Sequence, residues 1–462
     1  MTTRFMRPRT PTLLLALFTA LCAGPLAARG PGQVDEALAL KTFDATWKLV
    51  DGSPYGVRAR GIDWDAIGKR HRSRVAGARD MATLRLRLTE MLNEIGESHF
   101  TIVPGSISEV VSARAAAPGA DTAAVKGLGM DAGVVEGRVA VLSVEPDTPA
   151  ARAGISPGWV IEAIDDTPID GVLADIRQLP DPESRREAML QLDLGLRGRF
   201  APSLHAAPAK LTFRDAAGRR VSHTLTPAAT RGEVVNVPML PPVVYRIQHV
   251  RMSETDGGCV GLIRFNLWAP ALSTSFPGAL AATRECRGLI LDLRGNPGGV
   301  IGTAMGVGGH LVQTATALGY LSAGGSNARL TALPRKVSDA GEPFTPYAGP
   351  LVVLVDGRSA STSEVFASGL QAAGRAHVVG SRSAGKALPS LMHPLPNGDQ
   401  LMYAVADLTA PDGGRLEGVG IRPDTPAPHT LAALSAGQDN AMTAARAWIA
   451  RQPLHPDKEA SP

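Results

Sequence analysis

The feature that most constrains this chain is a set of three short apolar runs separated by helix-length segments. Residues 288–293 (GLILDL), 350–355 (PLVVLV) and 377–380 (HVVG) lack the polar alternation of a half-wet strand and read as strands buried on both faces. Helix-compatible segments at 301–313 and 361–373 lie between them, the second ended by Gly374. Strand, helix, strand alternation predicts a largely parallel α/β sheet. Loops leaving the carboxyl ends of such strands gather at one edge, where ligands bind. Three unusual loops do so here: 294–299 (RGNPGG), 356–364 (DGRSASTSE) and 381–386 (SRSAGK).

Each loop offers a chemical part and a plainer reading beside it. Ser361 falls at the start of a helix, where backbone N–H groups favour negative charge, a suitable place for a nucleophile. Ser361 and Glu364 also spell S-x-x-E, a capping box that merely starts a helix. Lys386 is the candidate base. A free lysine, with pKa near 10.4, is neutral only about four times in ten thousand at pH 7, so the site must desolvate it. Lysine is scarce here, 8 against 39 Arg, so Lys386 is not the default basic residue of this chain. Gly298 and Gly299 lack a Cβ and allow backbone N–H groups to approach an oxyanion, together with the N–H of Thr362. A tight strand-to-helix turn is the plainer role.

The rest of the chain frames this region. With 462 residues, 44% hydrophobic and 19% charged, it is ordinary multidomain globular material, which excludes wholesale disorder and a polytopic membrane protein. The net charge of +4 includes Arg4, Arg7 and Arg9, and no run of five basic residues exists, which argues against nucleic-acid partners. Basic residues before the apolar run 13–23, then Ala27 and Ala28, have the layout of a secretory signal peptide over 1–28. Its apolar core is too short to span a bilayer, so membrane contact is expected only through an uncleaved signal. The expected location is exported, periplasmic or secreted. Cys259 and Cys286 then remain, as a disulfide or as two buried thiols, with no zinc-like spacing and no metal or cofactor expected.

Residues 34–106 read as a helical cap, with Leu84, Leu88, Met91 or Leu92, and Ile95 on one helix face. A Ser-, Ala-, Gly- and Pro-rich linker follows over 104–122. Short strand-like runs between 124 and 226 outline a small β-rich module, interrupted by a polar, helix-like stretch at 180–199. The α/β region occupies 240–450.

At this point the motifs resemble a known family. DLRGNPGG (292–299), GRSASTSE (357–364), GK at 385–386 and EGVGIRPD (417–424) occur in the order found in carboxyl-terminal processing, or tail-specific, serine peptidases. The loop KGLGM (126–130) with DTPAARAGISPG (147–158) resembles their PDZ domain. The resemblance implies a crotonase-like α/β catalytic core with an amino-terminal helical cap and a PDZ domain. It places the nucleophile on Ser361, the general base on Lys386, and the oxyanion hole on Gly298, Gly299 and Thr362. It makes Gly127, Leu128, Gly129 and Met130 the loop that receives a terminal carboxylate while the next strand pairs with the peptide. Two departures qualify it. Many members carry Gln four residues after the lysine to orient it, where this chain has Ser390. GESHF (96–100) resembles tricorn-like and retinoid-binding relatives, which makes His99 a rival base.

The function so implied is an exported, metal-independent serine endopeptidase that cuts proteins or peptides near unstructured carboxyl termini through a Ser/Lys dyad and an acyl-enzyme. Its partners would be substrates with free carboxyl termini. The alternatives are an inactive PDZ-containing peptide-binding protein, a Ser/His peptidase using His99, and other acyl chemistry on the same sheet, for which no coenzyme-A-like site is present. Substrate identity and oligomeric state are not encoded in any motif.

Overall fold

The structure, a computed structural model, describes residues 34–104, 125–204, 206–237, 243–255 and 257–453. The signal peptide expected over 1–28 and nearly all of the 104–122 linker lie outside the described residues. Two compact units emerge, a small one from residues 125–232 and 429–439 and a large one from 34–104, 233–428 and 440–453.

The cap opens the large unit with α1 (Glu36–Asp51), α2 (Trp64–Ala76) and α3 (Met81–Asn93), followed by strand β1 (Thr101–Val103). An aspartate starts each helix: Asp35, Asp63 and Asp80 accept the N–H groups of Leu38, Ala66 and Thr83. Such caps stabilise by about 1 kcal/mol each. The predicted stripe, Leu84, Leu88 and Ile95 with both Met91 and Leu92, is fully buried. Leu388, Leu395, Leu401 and Ala404 complete the same core, and β1 pairs with residues 400–402. Arg85 adds a 2.7 Å ion pair to the buried Asp399. Residues 34–103 thus share their core with the α/β region, whereas the sequence reading drew them as a domain of their own.

The small unit contains β2 (Lys126–Gly127), β3 (Met130–Val135), β4 (Arg138–Val144), α4 (Pro149–Arg152), β5 (Val160–Ile164), β6 (Thr167–Pro168), α5 (Ile169–Arg177), α6 (Pro182–Phe200), β7 (Ala209–Arg214), β8 (Arg220–Leu225) and β9 (Ala228–Ala229). Its antiparallel sheet runs β3-β4-β5-β7-β8, with β6 on β5 and a separate β2–β9 pair. The polar stretch expected to hold a helix is α6.

The large unit resumes with β10 (Glu233–Val235), β11 (Val243–Tyr245), β12 (Ile247–Ser253), β13 (Cys259–Phe265), α7 (Leu272–Thr283), β14 (Leu289–Asp292), α8 (Ile301–Gly309), β15 (Thr316–Ala323), β16 (Ser326–Ala332), β17 (Leu351–Val355), α9 (Thr362–Ala372), β18 (His377–Gly380), β19 (Ser390–Pro394), β20 (Gln400–Ala404), β21 (Asp407–Thr409) and β22 (Thr425–Pro426). Helix α10 (Leu431–Ser435) belongs to the small unit, and α11 (Asn440–Ala450) closes the large one. The main sheet has the order β12-β13-β14-β17-β18-β22, parallel except for edge strand β12.

Every residue of β14 and β17 is buried, as their unbroken apolar text predicts. One sheet face presents Leu289, Leu291, Val353 and Val355 to a core holding Phe276 of α7, Val307 of α8 and Phe366 of α9. The other presents Ile290, Val352 and Leu354 to Ala441, Ala445 and Ile449 of α11. Cys259 and Cys286 are joined as a disulfide, the first of the two states left open by sequence. Two small antiparallel ladders, β16-β15-β21 and β1-β20-β19, extend this unit.

Candidate active site

The site begins where β17 ends. Asp356 Oδ1 accepts the N–H groups of Gly295 and Arg358 at 2.9 and 3.0 Å, and Ser359 Oγ donates to Leu293 O at 2.8 Å. Ala360 donates to Asn296 O at 3.1 Å, and Ser363 Oγ reaches the same carbonyl. The loop after β14 and the loop after β17 are therefore stitched together by buried polar groups. Beneath them the buried Asp292 meets Arg294 at 2.8 Å. Burial opposes its ionisation, but Arg294 and Arg264 outweigh that and hold its carboxyl well below the usual carboxylate range.

Ser361 stands immediately before α9 with φ 53° and ψ −120°. Ordinary helix-capping residues have extended backbone, and a non-glycine residue at positive φ costs on the order of 1–3 kcal/mol and persists only where its surroundings hold it. They do hold it. The Ser361 N–H donates to Lys386 O at 2.8 Å and to Glu364 Oε2 at 3.0 Å. Glu364, read from sequence only as a capping residue, is fully buried and also accepts Lys386 N–H (3.0 Å), Gly385 N–H (2.8 Å) and Ser383 Oγ–H (2.6 Å). One carboxylate thus fixes both the Ser361 turn and the Lys386 turn. Burial pushes it up to about 7, against the pull of these four donors.

The Pro-Gly-Gly turn touches the serine closely. A Cβ on Gly298, whose φ is 102°, would lie 2.7 Å from Ser361 Cβ, and one on Gly299, φ 138°, would lie 2.5 Å from Trp268 O. Glycine is required at both positions on steric grounds. The Gly298 N–H is engaged by Asn296 Oδ1 at 2.9 Å, which corrects the sequence assignment of that donor to an oxyanion. What Gly298 supplies here is space. Thr362 lies beside the turn, its Oγ1–H donating to Gly299 O at 2.7 Å.

The cap delivers a further group. His99, φ 61°, is half-buried, with Nδ1 2.6 Å from Ser98 Oγ. Desolvation of its ring, with a smaller push from the Lys386 charge, lowers it to about 4. Glu417, buried, accepts Ser98 N–H at 3.1 Å through Oε1 and Ala387 N–H at 2.7 Å through Oε2. Glu417 therefore links the segment bearing His99 to the segment bearing Lys386. Ser390 opens β19 opposite Ala404, beyond the turn built on Glu364.

Gly127, Leu128, Gly129 and Met130 lie in the small unit. Leu128 and Met130 are buried there, Leu128 O accepts Ala150 N–H, and Gly129 O accepts Glu145 N–H. Among the described residues no group of three or more His, Cys, Asp or Glu is arranged to hold a metal ion. The sequence reading missed Asn296, Ser383 and Glu417 as organisers, although each lies in or beside a motif it had singled out.

A strained serine at a helix start, over glycine turns at the carboxyl edge of a parallel sheet, is the geometry of a serine-hydrolase site. Residues 259–427 match the family model described as peptidase family S41, and the chain carries a domain of that family. It is similar to the carboxy-terminal-processing protease of Bartonella bacilliformis, 28% identical over 313 residues, 64% of this chain and 60% of that protein. It is also similar to the chloroplastic C-terminal processing peptidase of Tetradesmus obliquus, 30% identical over 62% of this chain and 56% of that one. The match thus spans somewhat more than half the length of these curated relatives. The solved photosystem II D1 C-terminal processing protease aligns with 87% of this chain and 99% of its own, with a TM-score of 0.54 and 19% identity. Mature CPAF aligns with 90% of this chain and 96% of its own, with a TM-score of 0.57 and 14% identity. At these identities the likeness is one of fold.

Proposed function

We propose that the chain is an exported serine endopeptidase that cleaves proteins near unstructured carboxyl termini, with Ser361 as nucleophile and Lys386 as general base. The observation that carries this is the strained Ser361 turn, pinned to the Lys386 carbonyl and to the carboxylate that also fixes the lysine turn. The names of the similar proteins agree with it.

In this reading neutral Lys386 Nζ takes the Ser361 Oγ proton as Oγ bonds to the scissile carbonyl carbon. The oxyanion is met by the N–H groups of Gly299 and Thr362, since Gly298 N–H is spent on Asn296. Collapse breaks the C–N bond, and the Lys386 proton leaves with the amine. Lys386 then takes a proton from water as the water oxygen bonds to the acyl carbon; the C–Oγ bond breaks, Lys386 returns that proton to Ser361 Oγ, and the new carboxyl terminus leaves.

His99 is the second candidate base, favoured by its electrostatic contact with Lys386. A base held at about 4 is neutral at pH 7 but weak, and efficient general bases lie closer to the working pH. We therefore assign His99 to the lining of the site. The domain reading is of a crotonase-like core over 240–450 with the cap at 34–106 and a PDZ-like module at 124–226.

A serine-directed fluorophosphonate followed by peptide mapping tests the assignment. Label on Ser361, lost in Lys386→Ala and kept in His99→Ala, is the expected outcome. No label on Ser361 in the wild type would transfer the reading to a non-catalytic peptide-binding protein.

A further inference from the structure

Within the small unit, β3 is the outer strand of its sheet, paired through β4 alone among the described strands. In the PDZ-like reading of this module, on which the following rests, that outer edge is where a peptide adds as an extra strand. The edge is covered. Helix α6 lies along it, and Asp193 Oδ1 accepts the Val134 N–H at 3.1 Å, the bond a ligand carbonyl would otherwise make. A Cβ on Gly133 would come within 2.7 Å of the same oxygen, so glycine there admits the helix.

The helix is built for this seat. Ala188, Leu192, Leu196 and Phe200 recur every four residues and share one core with Leu128, Met130 and Ala132 of the loop and strand. Its start is fixed by Asp181, whose carboxylate accepts Ser184 N–H at 2.8 Å, with Pro182 at the first helical position. The polar character that set 180–199 apart in the sequence belongs to its other faces.

We propose that α6 is a built-in occupant of the peptide-reading edge, held there by Asp193, so that a peptide with a free carboxylate gains β3 only when α6 lifts. An incoming strand must replace both the Asp193 bond and the apolar stripe, which makes the module a closed reader opened by competition. The carboxylate is a strong acceptor, and its removal weakens the closed state without touching the core residues.

The test uses the full chain in a Ser361→Ala background, so that the probe is not cut. A fluorescent peptide ending in apolar residues is titrated as free acid and as amide, with Asp193→Ala and Asp193→Asn as variants. Asp193→Ala is expected to bind the free acid about tenfold tighter than its parent, the scale of one charge-assisted hydrogen bond. Hydrogen exchange at the Val134 amide should quicken in parallel. Asp193→Asn keeps an acceptor and should remain close to the parent, which guards against a merely misfolded alanine variant. Acid-selective binding that is equal in parent and Asp193→Ala, with Val134 protection unchanged, would overturn the occlusion and leave the PDZ-like reading standing. Equal binding of acid and amide by every form would overturn that reading and the occlusion with it.

Discussion

The Ser361 turn and the β3 edge both turn on a carboxylate that accepts backbone N–H groups, yet the two carboxylates do opposite work. Glu364 collects donors from the two segments that hold Ser361 and Lys386 and so fixes the proposed nucleophile and base in register. Asp193 takes the Val134 N–H of edge strand β3 and, in the proposed reading of that edge, closes a surface to a ligand strand. A buried carboxylate is costly, and several hydrogen bonds offset the cost only where the geometry is fixed. The difference is therefore one of burial. Glu364 is fully enclosed, while Asp193 sits on a helix that keeps a solvent-facing side.

This contrast can be broken or sharpened by substitution. The largest expected effect is Lys386→Ala, which should lower kcat by about 10³-fold or more with the fold intact, the scale of losing a positioned general base. Steady-state cleavage alongside His99→Ala decides between the bases. A loss under about tenfold at Lys386 and a far larger one at His99 would reverse the assignment.

Next in size is Glu364→Gln. An amide places an NH₂ group where N–H donors converge, so kcat should fall about a hundredfold from misplacement of the reacting groups. Its pH behaviour carries more information. The folded value of about 7 lies above the ordinary 4.5, so below about 7 Glu364 gains a proton and loses acceptor capacity, and activity should fall on that limb. The sign for stability is the reverse. The folded state holds the proton more tightly than the unfolded chain, so this residue's contribution is complete below about 4.5 and is lost as pH rises through about 7. Glu364→Gln should flatten both dependences. An unchanged acid limb in the variant would remove Glu364 from the pH response.

Smaller still, replacing Cys259 and Cys286 by Ser opens a link across 27 residues of sequence and should cost about 3 kcal/mol of stability by urea unfolding. The kcat is expected to hold, because the bond joins strand starts rather than the carboxyl edge. A selective loss of kcat would tie the disulfide to the site.

The sheet was legible because its strands are buried on both faces, and such strands leave unbroken apolar text, as in 351–355. The three turns were legible for the related reason that loops at one sheet edge must meet. The β1-β20-β19 ladder was not, since β20 pairs with β1 some 300 residues earlier and carries no local signature of that partner. Among the candidate site residues, Ser361 and Thr362 stand at the start of α9 and Lys386 in the turn after β18, the positions from which their roles were proposed. Glu364 was legible only as a local cap, because its second role depends on the Lys386 turn folding back over it. The Gly298 donor was misassigned since nothing in a PGG turn reveals that Asn296, two residues away, takes its N–H.

The most direct measurement of the central claim is mass spectrometry of an unstructured test protein with an apolar carboxyl tail, incubated in chelator with the mature chain or with its Ser361→Ala variant. The account predicts fragments cut near the carboxyl end with the first and an intact substrate with the second. Equal cleavage by both, or cleavage by neither while both bind the tail through its free carboxylate, would contradict it.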